Sequence, residues 1–405
     1  MSTSRLPKLR PLDIKPTVHQ GRPSLFLRDP LDLSDRYMIL PQALGPALML
    51  CDGEHDAAAI HAALTVRYGL RVDRDVIEQF IQALDESLFL ENERSREAMQ
   101  KALEAYRSAP YRKPALAGNG YPEEPEALRA LLNGYLQDVT EIVPLPAHGK
   151  AVLSPHIDYQ RGGHVYARVW KRAETIAREA ELVIVLATDH FGGFNQVTLT
   201  RQHYATPYGV LPTEQTLVDQ LAARLGPEQV FAGELYHRRE HSIELVVTWL
   251  HHMRQGKPVE LLPILVGSFH PFIENGGNPA EDPLLNTLLG ELRPLVEDRR
   301  ALVVASGDLA HIGPVFGTKP VGIIERADLR ALDDALIERL AAGDGPGFWQ
   351  IIYRERDRTN VCGVAPFYLT LQTVEAAEGE RAGYAICPAD EHNTSVVSVC
   401  GIVLG

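Results

Sequence analysis

The chain has 405 residues, more than one ordinary domain holds. Its 45% hydrophobic and 23% charged residues are the composition of a folded globular protein with a core of normal size. A formal net charge of -13 argues against nonspecific binding to nucleic acid or to an anionic membrane, since both require a basic face. Four cysteines without a CxxC pair, no apolar stretch of signal type at the N-terminus and no run of about 18 apolar residues lead us to expect a cytoplasmic protein without a disulfide framework or a membrane span.

The first segment, to about Arg112, reads as a small module. Ser24–Leu27 and Tyr37–Leu40 are apolar stretches of strand type. Helical patterns follow over Pro41–Met49, His55–Tyr68 and Arg74–Ser87, punctuated by Asp52-Gly53 and Tyr68-Gly69. In the third of these, Val76, Phe80, Ile81 and Leu84 recur at helical spacing, and Phe89-Leu90 after it is a candidate strand. Helices beside a small ribbon suggest a winged-helix-like unit. The text LCDGEHDAAAIHAALTVRYGL (50–70) and VIEQFIQALDESLFLEN (76–92) resembles PqqD-like domains. That resemblance implies a module that grips a peptide by strand addition. A helical packing module without a ligand is the alternative. A charged and then Pro-rich stretch from Glu91 to Ala117 looks like a connecting helix and linker, so the modules are expected at 1–112 and 113–405.

Beyond residue 118 short runs rich in Val, Ile and Leu alternate with helical patterns. Ala151–Leu153, Glu181–Leu186, Glu260–Val266 and Ala301–Val304 read as buried strands of a mostly parallel sheet. Helices are expected over His164–Ala180, Pro212–Arg224, Ile243–Gln255, Pro283–Glu297, Ala327–Ala342 and Val364–Ala376. The alternation predicts an α/β layered fold, a sheet flanked by helices.

Polar, chemically capable residues follow several of these strands at once. Ser154-Pro155-His156-Ile157-Asp158, Thr188-Asp189-His190, Ser268-Phe269-His270 and Ser306-Gly307-Asp308-Leu309-Ala310-His311 all stand at strand ends. In open α/β sheets ligands bind outside the carboxyl ends of the strands, so these residues are expected to converge on one crevice. His241, in Glu240-His241-Ser242, is either a site residue or part of a helix start with Ser242 as N-cap. Cys362, just before a helix, is either an activated thiol of lowered pKa or an inert buried cysteine. His251-His252, late in a helix, reads as structural, with a charged imidazole offsetting the helix dipole, while metal binding by the pair is the alternative. Two imidazoles and a thiolate suit zinc, copper or iron rather than magnesium or calcium, and three ligands leave a coordination position open. Asp308 and His311 are candidates to orient ligands or move protons.

With these pieces in order, the stretch 117–405 resembles the Memo family, also called AmmeMemoRadiSam system protein B. The carriers are SPHIDYQRGGHVY (154–166), LATDHFGG (186–193), EHSIEL (240–245), SGDLAHIG (306–313), NVCG (360–363) and NTSVVSVCGIVL (393–404). The resemblance implies a fold similar to class III extradiol dioxygenases and a pocket of two histidines and one cysteine binding copper or iron. Carried over by motif, His156, His190 and Cys362 are the metal ligands, and His241, Asp308 and His311 are pocket residues with catalytic roles. Two departures stand out. Where family members carry two adjacent histidines, of which the second is the ligand, this chain reads His190-Phe191. An aspartate, Asp158, also follows the SPH segment and could offer a hard ligand. The expected function is a metal-dependent, dioxygenase-like oxidoreductase acting on a small molecule or peptide. The alternative is a non-enzymatic metal-, peptide- or partner-binding protein working with a radical SAM protein.

Overall fold

The computed structural model describes residues 6–140, 142–145, 149–192, 197–298, 300–375 and 378–405. The chain divides into two compact units, Met1–Ser108 and Ala109–Gly405.

In the first unit, β1 (Asp13–His19), β2 (Arg22–Arg28) and β3 (Tyr37–Pro41) form an antiparallel sheet in that order. The β1–β2 hairpin closes through Gln20-Gly21, and both residues have positive φ, as a tight primed turn requires. Helices follow at Gly45–Met49, Ala57–Tyr68, Arg74–Glu86 and Glu93–Ser108. The second starts under Asp56, whose carboxylate accepts from Ala59 N (2.8 Å), and stops at left-handed Gly69. Leu27, Ile60, Leu64, Leu84 and Phe89 form the core. The strand expected at Phe89-Leu90 is reduced to a single bridge between Leu90 and Leu9.

The second unit is a mixed α/β structure with a central sheet flanked by helices. Its strands are β4 (Ala151–Ser154), β5 (Leu182–Thr188), β6 (Val197–Leu199), β9 (Glu260–Val266), β10 (Ala301–Ser306), β11 (His311–Ile312), β12 (Gly379–Pro388) and β13 (Val396–Leu404). A separate ribbon pairs β7 (Tyr204–Thr206) with β8 (Gly209–Leu211). The sheet order is β11-β13-β4-β10-β5-β9-β6, with β12 also on β13. Among the described residues, only the central four strands, β4, β10, β5 and β9, run parallel. The expected mostly parallel sheet is therefore a parallel centre with antiparallel strands on both flanks. The cause on one flank is the β12–β13 pair, whose short connection permits only antiparallel pairing.

The parallel strands are buried on both faces, which explains their unbroken apolar text. Their side chains alternate between two cores. Leu182, Ile184 and Leu186 of β5 join a cluster with Val218, Leu288 and Phe367, while Val183 and Val185 join one with Trp170, Val246 and Trp249. The helix expected over His164–Ala180 is two, Tyr159–Arg172 and Glu174–Glu179. The helix expected over Val364–Ala376 runs Val364–Val374, and Ala376 lies outside the described residues. Among the described residues no helix is long and apolar enough to cross a membrane.

Candidate metal centre

The parallel register aligns the chemistry. Ser306 ends β10 opposite Ser154 at the end of β4, and Ala187 of β5 is paired with the same Ser306. The segments leaving these strands, with the loop before the helix Val364–Val374 and the start of the helix His241–Met253, bring His156, His190, His241, Asp308 and Cys362 together. Two triads have donor atoms within 4.8 Å of one another: His156, His190 and His241, and His156, Asp308 and Cys362. They share His156.

Hydrogen bonding fixes the tautomer of His156. Ser306 Oγ donates its only proton to the Ser242 carbonyl (2.6 Å), so at 3.2 Å from His156 Nδ1 it accepts. The ring proton is thus on Nδ1, and the Nε2 lone pair faces Cys362 Sγ at 3.2 Å. Burial, aided by the nearby histidines, holds this imidazole well below its ordinary pKa. His190 is anchored in the same way by another partner. Its backbone N–H donates to Glu240 Oε2 (2.9 Å) and its Nδ1–H to Glu240 Oε1 (3.0 Å). Burial pulls His190 down, but the Glu240 carboxylate and Cys362 together hold it well above its ordinary value. Glu240 has no exposure, and despite that burial His190 and His241 keep it well below the usual carboxylate range.

His241 stacks on His190 with ring centroids 4.8 Å apart and lies edge-on to His156 at 5.4 Å. Burial lowers it to about 4 although Glu240 opposes the shift. Asp308 Oδ1 accepts from the backbone N–H of His156 (2.8 Å) and Ile157 (3.3 Å), leaving Oδ2 at 3.9 Å from His156 Nε2. Burial raises its carboxyl to about 6 even so. His311 Nδ1 faces only carbonyls, those of Leu309 and Asn360 at 3.1 Å each, so its proton is there and Nε2 is an acceptor. His311 is not in either triad but lines the adjoining cavity, of about 560 Å³, with His190 and Cys362.

Four expectations need correction. Of the two alternatives for Cys362, the lowered thiol pKa does not hold: burial outweighs its hydrogen bonds and raises it. Its sulfur accepts from Asp308 N at 3.2 Å. Asp158 is not in the cluster: its side chain caps the helix Tyr159–Arg172 at Arg161 N (3.0 Å) and pairs with the Arg161 guanidinium (2.6 Å). Ser242 is not the helix N-cap; Glu240 is, accepting from Ser242 N at 2.9 Å. His251 and His252 are structural but uncharged, since burial takes both to about 4; their Nδ1 atoms contact Thr206 Oγ1 (2.7 Å) and Tyr208 Oη (3.1 Å).

The sequence reading placed Ser306 at a strand end and Glu240 at a helix start without their supporting roles, and it missed Arg112 and Glu244. Ser306 and Glu240 set the two rings, and Arg112 holds the turn behind them. The Arg112 guanidinium donates to the carbonyls of His237 (2.9 Å) and Glu240 (2.8 Å) and pairs with the fully buried Glu244 carboxylate. Glu244 also accepts from Tyr121 Oη (2.6 Å) and from the backbone of Ala115 and Leu116. Charged residues at buried positions of an otherwise apolar helix are the one signal that could have marked Glu244.

The arrangement defines an α/β protein with imidazole, thiol and carboxylate donors gathered beyond the carboxyl ends of parallel strands. The chain belongs to the Memo-like protein family, whose model matches residues 112–403. A MEMO1 family protein of Aquifex aeolicus is 24% identical across 98% of this chain and 99% of its own length, so that match runs through the N-terminal unit as well. A MEMO1 family protein of Methanopyrus kandleri is 29% identical over 68% of this chain and 91% of its own length. One from Thermus thermophilus is 27% identical over 69% and 78%.

Proposed function

We propose that the Ala109–Gly405 unit binds one transition-metal ion through His156, His190 and Cys362 and works as a metal-dependent oxidoreductase of dioxygenase type on a small molecule admitted by the adjoining cavity. The observation that carries this reading is the pre-set geometry of the two rings. Each has its Nδ1–H committed, to Ser306 and to Glu240, and His156 presents its Nε2 lone pair to the Cys362 sulfur at 3.2 Å. Anchoring of the far ring nitrogen is what metal-ligating histidines require. The donors, nitrogen and sulfur, fit iron or copper, with zinc as the redox-inert choice. A bound iron or copper supplies one-electron chemistry toward dioxygen.

The chain's own residues have distinct parts in this reading. Cys362 gives up its thiol proton on coordination, so binding weakens as pH falls. His241 stacks beside His190 and is the nearest further nitrogen donor. His311 offers a free Nε2 on the cavity wall to take a proton from a substrate hydroxyl or amine. Asp308 holds the backbone of His156 and Ile157 through Oδ1 and keeps Oδ2 beside the centre, near His156 Nε2. We read the N-terminal unit as a PqqD-like, winged-helix-type peptide module, with the functional division near residue 112. A peptide or radical SAM partner would engage there.

Metal analysis of protein purified and reconstituted without oxygen tests the centre. Near-stoichiometric iron or copper that is lost in both His156→Ala and Cys362→Ala is the expected result. A parent chain with no stoichiometric metal overturns it. Oxygen uptake by the loaded protein across a panel of phenols tests the oxidoreductase step, and an intact metal centre without uptake would favour a binding role.

A further inference from the structure

His241 differs from the histidines that only hold the fold. His237 has both ring nitrogens spent, Nδ1 on Tyr204 Oη (2.7 Å) and Nε2 on the Thr198 carbonyl (3.1 Å). His252 likewise uses both, on Tyr208 Oη (3.1 Å) and Asn133 Oδ1 (3.2 Å). His241 is provided for on one side. Its Nδ1 is 3.2 Å from Glu240 Oε1, and among the described residues no hydrogen-bond partner meets Nε2. A carboxylate only accepts, so the ring proton belongs on Nδ1 and the lone pair on Nε2. The same Glu240 oxygen is 3.0 Å from Nδ1 of His190. One buried anion therefore sets two imidazoles, each with Nδ1 committed and Nε2 left for the centre, as metal-ligating rings are held.

The spacing of the rings points the same way. The ring centroids are 5.0 Å apart for His156 and His190, 5.4 Å for His156 and His241, and 4.8 Å for His190 and His241. The donor atoms of all three lie within 4.8 Å of one another. An imidazole bonded at about 2.0–2.1 Å has its centroid about 3.2 Å from the ion, which sets two such rings about 4.5–5 Å apart. The observed spacings are close to those of three rings around one ion. Cys362 Sγ joins the group at 3.2 Å from His156 Nε2.

We propose that His241 is itself a ligand of the metal, beside His156, His190 and Cys362, so that the centre offers three nitrogens and one sulfur from four side chains. The proposal rests on the metal reading above and enlarges its ligand set. It also sorts the metals. Four protein donors fill the tetrahedral shell of zinc, whereas an ion of six-fold coordination keeps two positions for exchangeable ligands.

The test uses the full-length chain and two variants. His241→Phe keeps an aromatic ring beside His190, and His241→Ala leaves a space that an added imidazole fits. Zinc affinity is measured by competition with a chromophoric chelator. The cobalt-loaded protein gives a visible d–d spectrum, whose intensity and position follow the number and type of donors. Both variants should bind zinc about 100-fold more weakly than the parent. Their cobalt bands should weaken as water takes the place of the ring. Free imidazole should restore the parent spectrum in His241→Ala and not in His241→Phe, where the space is filled. Circular dichroism melts of the chelator-stripped proteins identify a variant that has not folded, and the other then carries the comparison. The proposal is overturned if a folded variant keeps zinc affinity within about twofold of the parent. It is equally overturned if the cobalt spectrum is unchanged, since a ring that only positions His190 leaves the donor count unaltered. A parent chain without stoichiometric metal would sink the metal reading and this ligand with it. A metal-loaded parent whose spectrum survives both substitutions would sink this proposal alone.

Discussion

Replacing Ser306 by alanine separates the role of ring orientation from that of the ligands themselves. The side chain has no exposure, and its hydroxyl links His156 Nδ1 (3.2 Å) to the Ser242 carbonyl (2.6 Å). Alanine removes both bonds; the Ser242 carbonyl keeps its partner within the helix His241–Met253, but the His156 Nδ1–H is left without one in a buried place. At about 1–3 kcal/mol for an orphaned buried group, unfolding of the metal-free chain should become easier by that amount. The functional effect is separate, because the His156 ring loses what fixes its proton on Nδ1 and its Nε2 on the centre. Loss of such an outer partner costs about 10–100-fold in metal affinity. The assay is zinc binding in competition with a chromophoric chelator, beside urea unfolding of the metal-free protein. Leu336→Ala is the control. It is fully buried in the core and should lose a comparable 2–5 kcal/mol, roughly, with no change at the centre. If Ser306→Ala binds zinc within about twofold of the parent, or if Leu336→Ala loses as much affinity, the orientation argument fails.

Cys362→Ser should abolish the thiolate-to-metal charge-transfer band of the copper- or cobalt-loaded protein while the fold persists; a retained band removes the sulfur from the ligand set. Arg112→Met leaves Glu244 buried without its guanidinium and should cost about 3–5 kcal/mol in denaturant unfolding. A loss below about 1 kcal/mol would show that the pair is not what holds the turn. Burial raises Asp333, which has no exposure, from the ordinary 3.8 to about 6. The folded state then binds more protons than the unfolded one between these values, so its ionisation opposes folding and stability falls as pH rises through that window. Asp333→Asn, still an acceptor for Tyr384 Oη, should gain about 1–3 kcal/mol at pH 7 and nothing near pH 4; an equal gain at both pH values contradicts the assignment.

The parallel core was legible because it is buried on both faces. Strands such as Leu182–Thr188 and Ala301–Ser306 stand out as apolar runs ended by polar text, and that boundary points at the site. The strand Val396–Leu404 is equally apolar and buried, yet its hairpin partner Gly379–Pro388 is fully buried only at Gly383 and Cys387 and carries no such signal. A reading by alternation alone therefore extends the parallel pattern to the flanks, where the chain in fact turns back.

At the site, the choice between two aspartates shows what a single sequence withholds. Asp158 lies two residues from His156 in the chain and looked like a ligand, but it is spent on the first turn of the helix that follows, at Arg161 N (3.0 Å). Asp308 lies far away in the chain and is the neighbour in space. The register explains it. Ser154 and Ser306 are partners at the ends of adjacent parallel strands, so residues two places beyond each, His156 and Asp308, emerge side by side. His156 N then donates to Asp308 Oδ1 at 2.8 Å. Strand order and register are long-range facts, and ring anchoring by Ser306 and Glu240 depends on both. Residue type announced which side chains could do chemistry, while pairing between strands decided which of them meet.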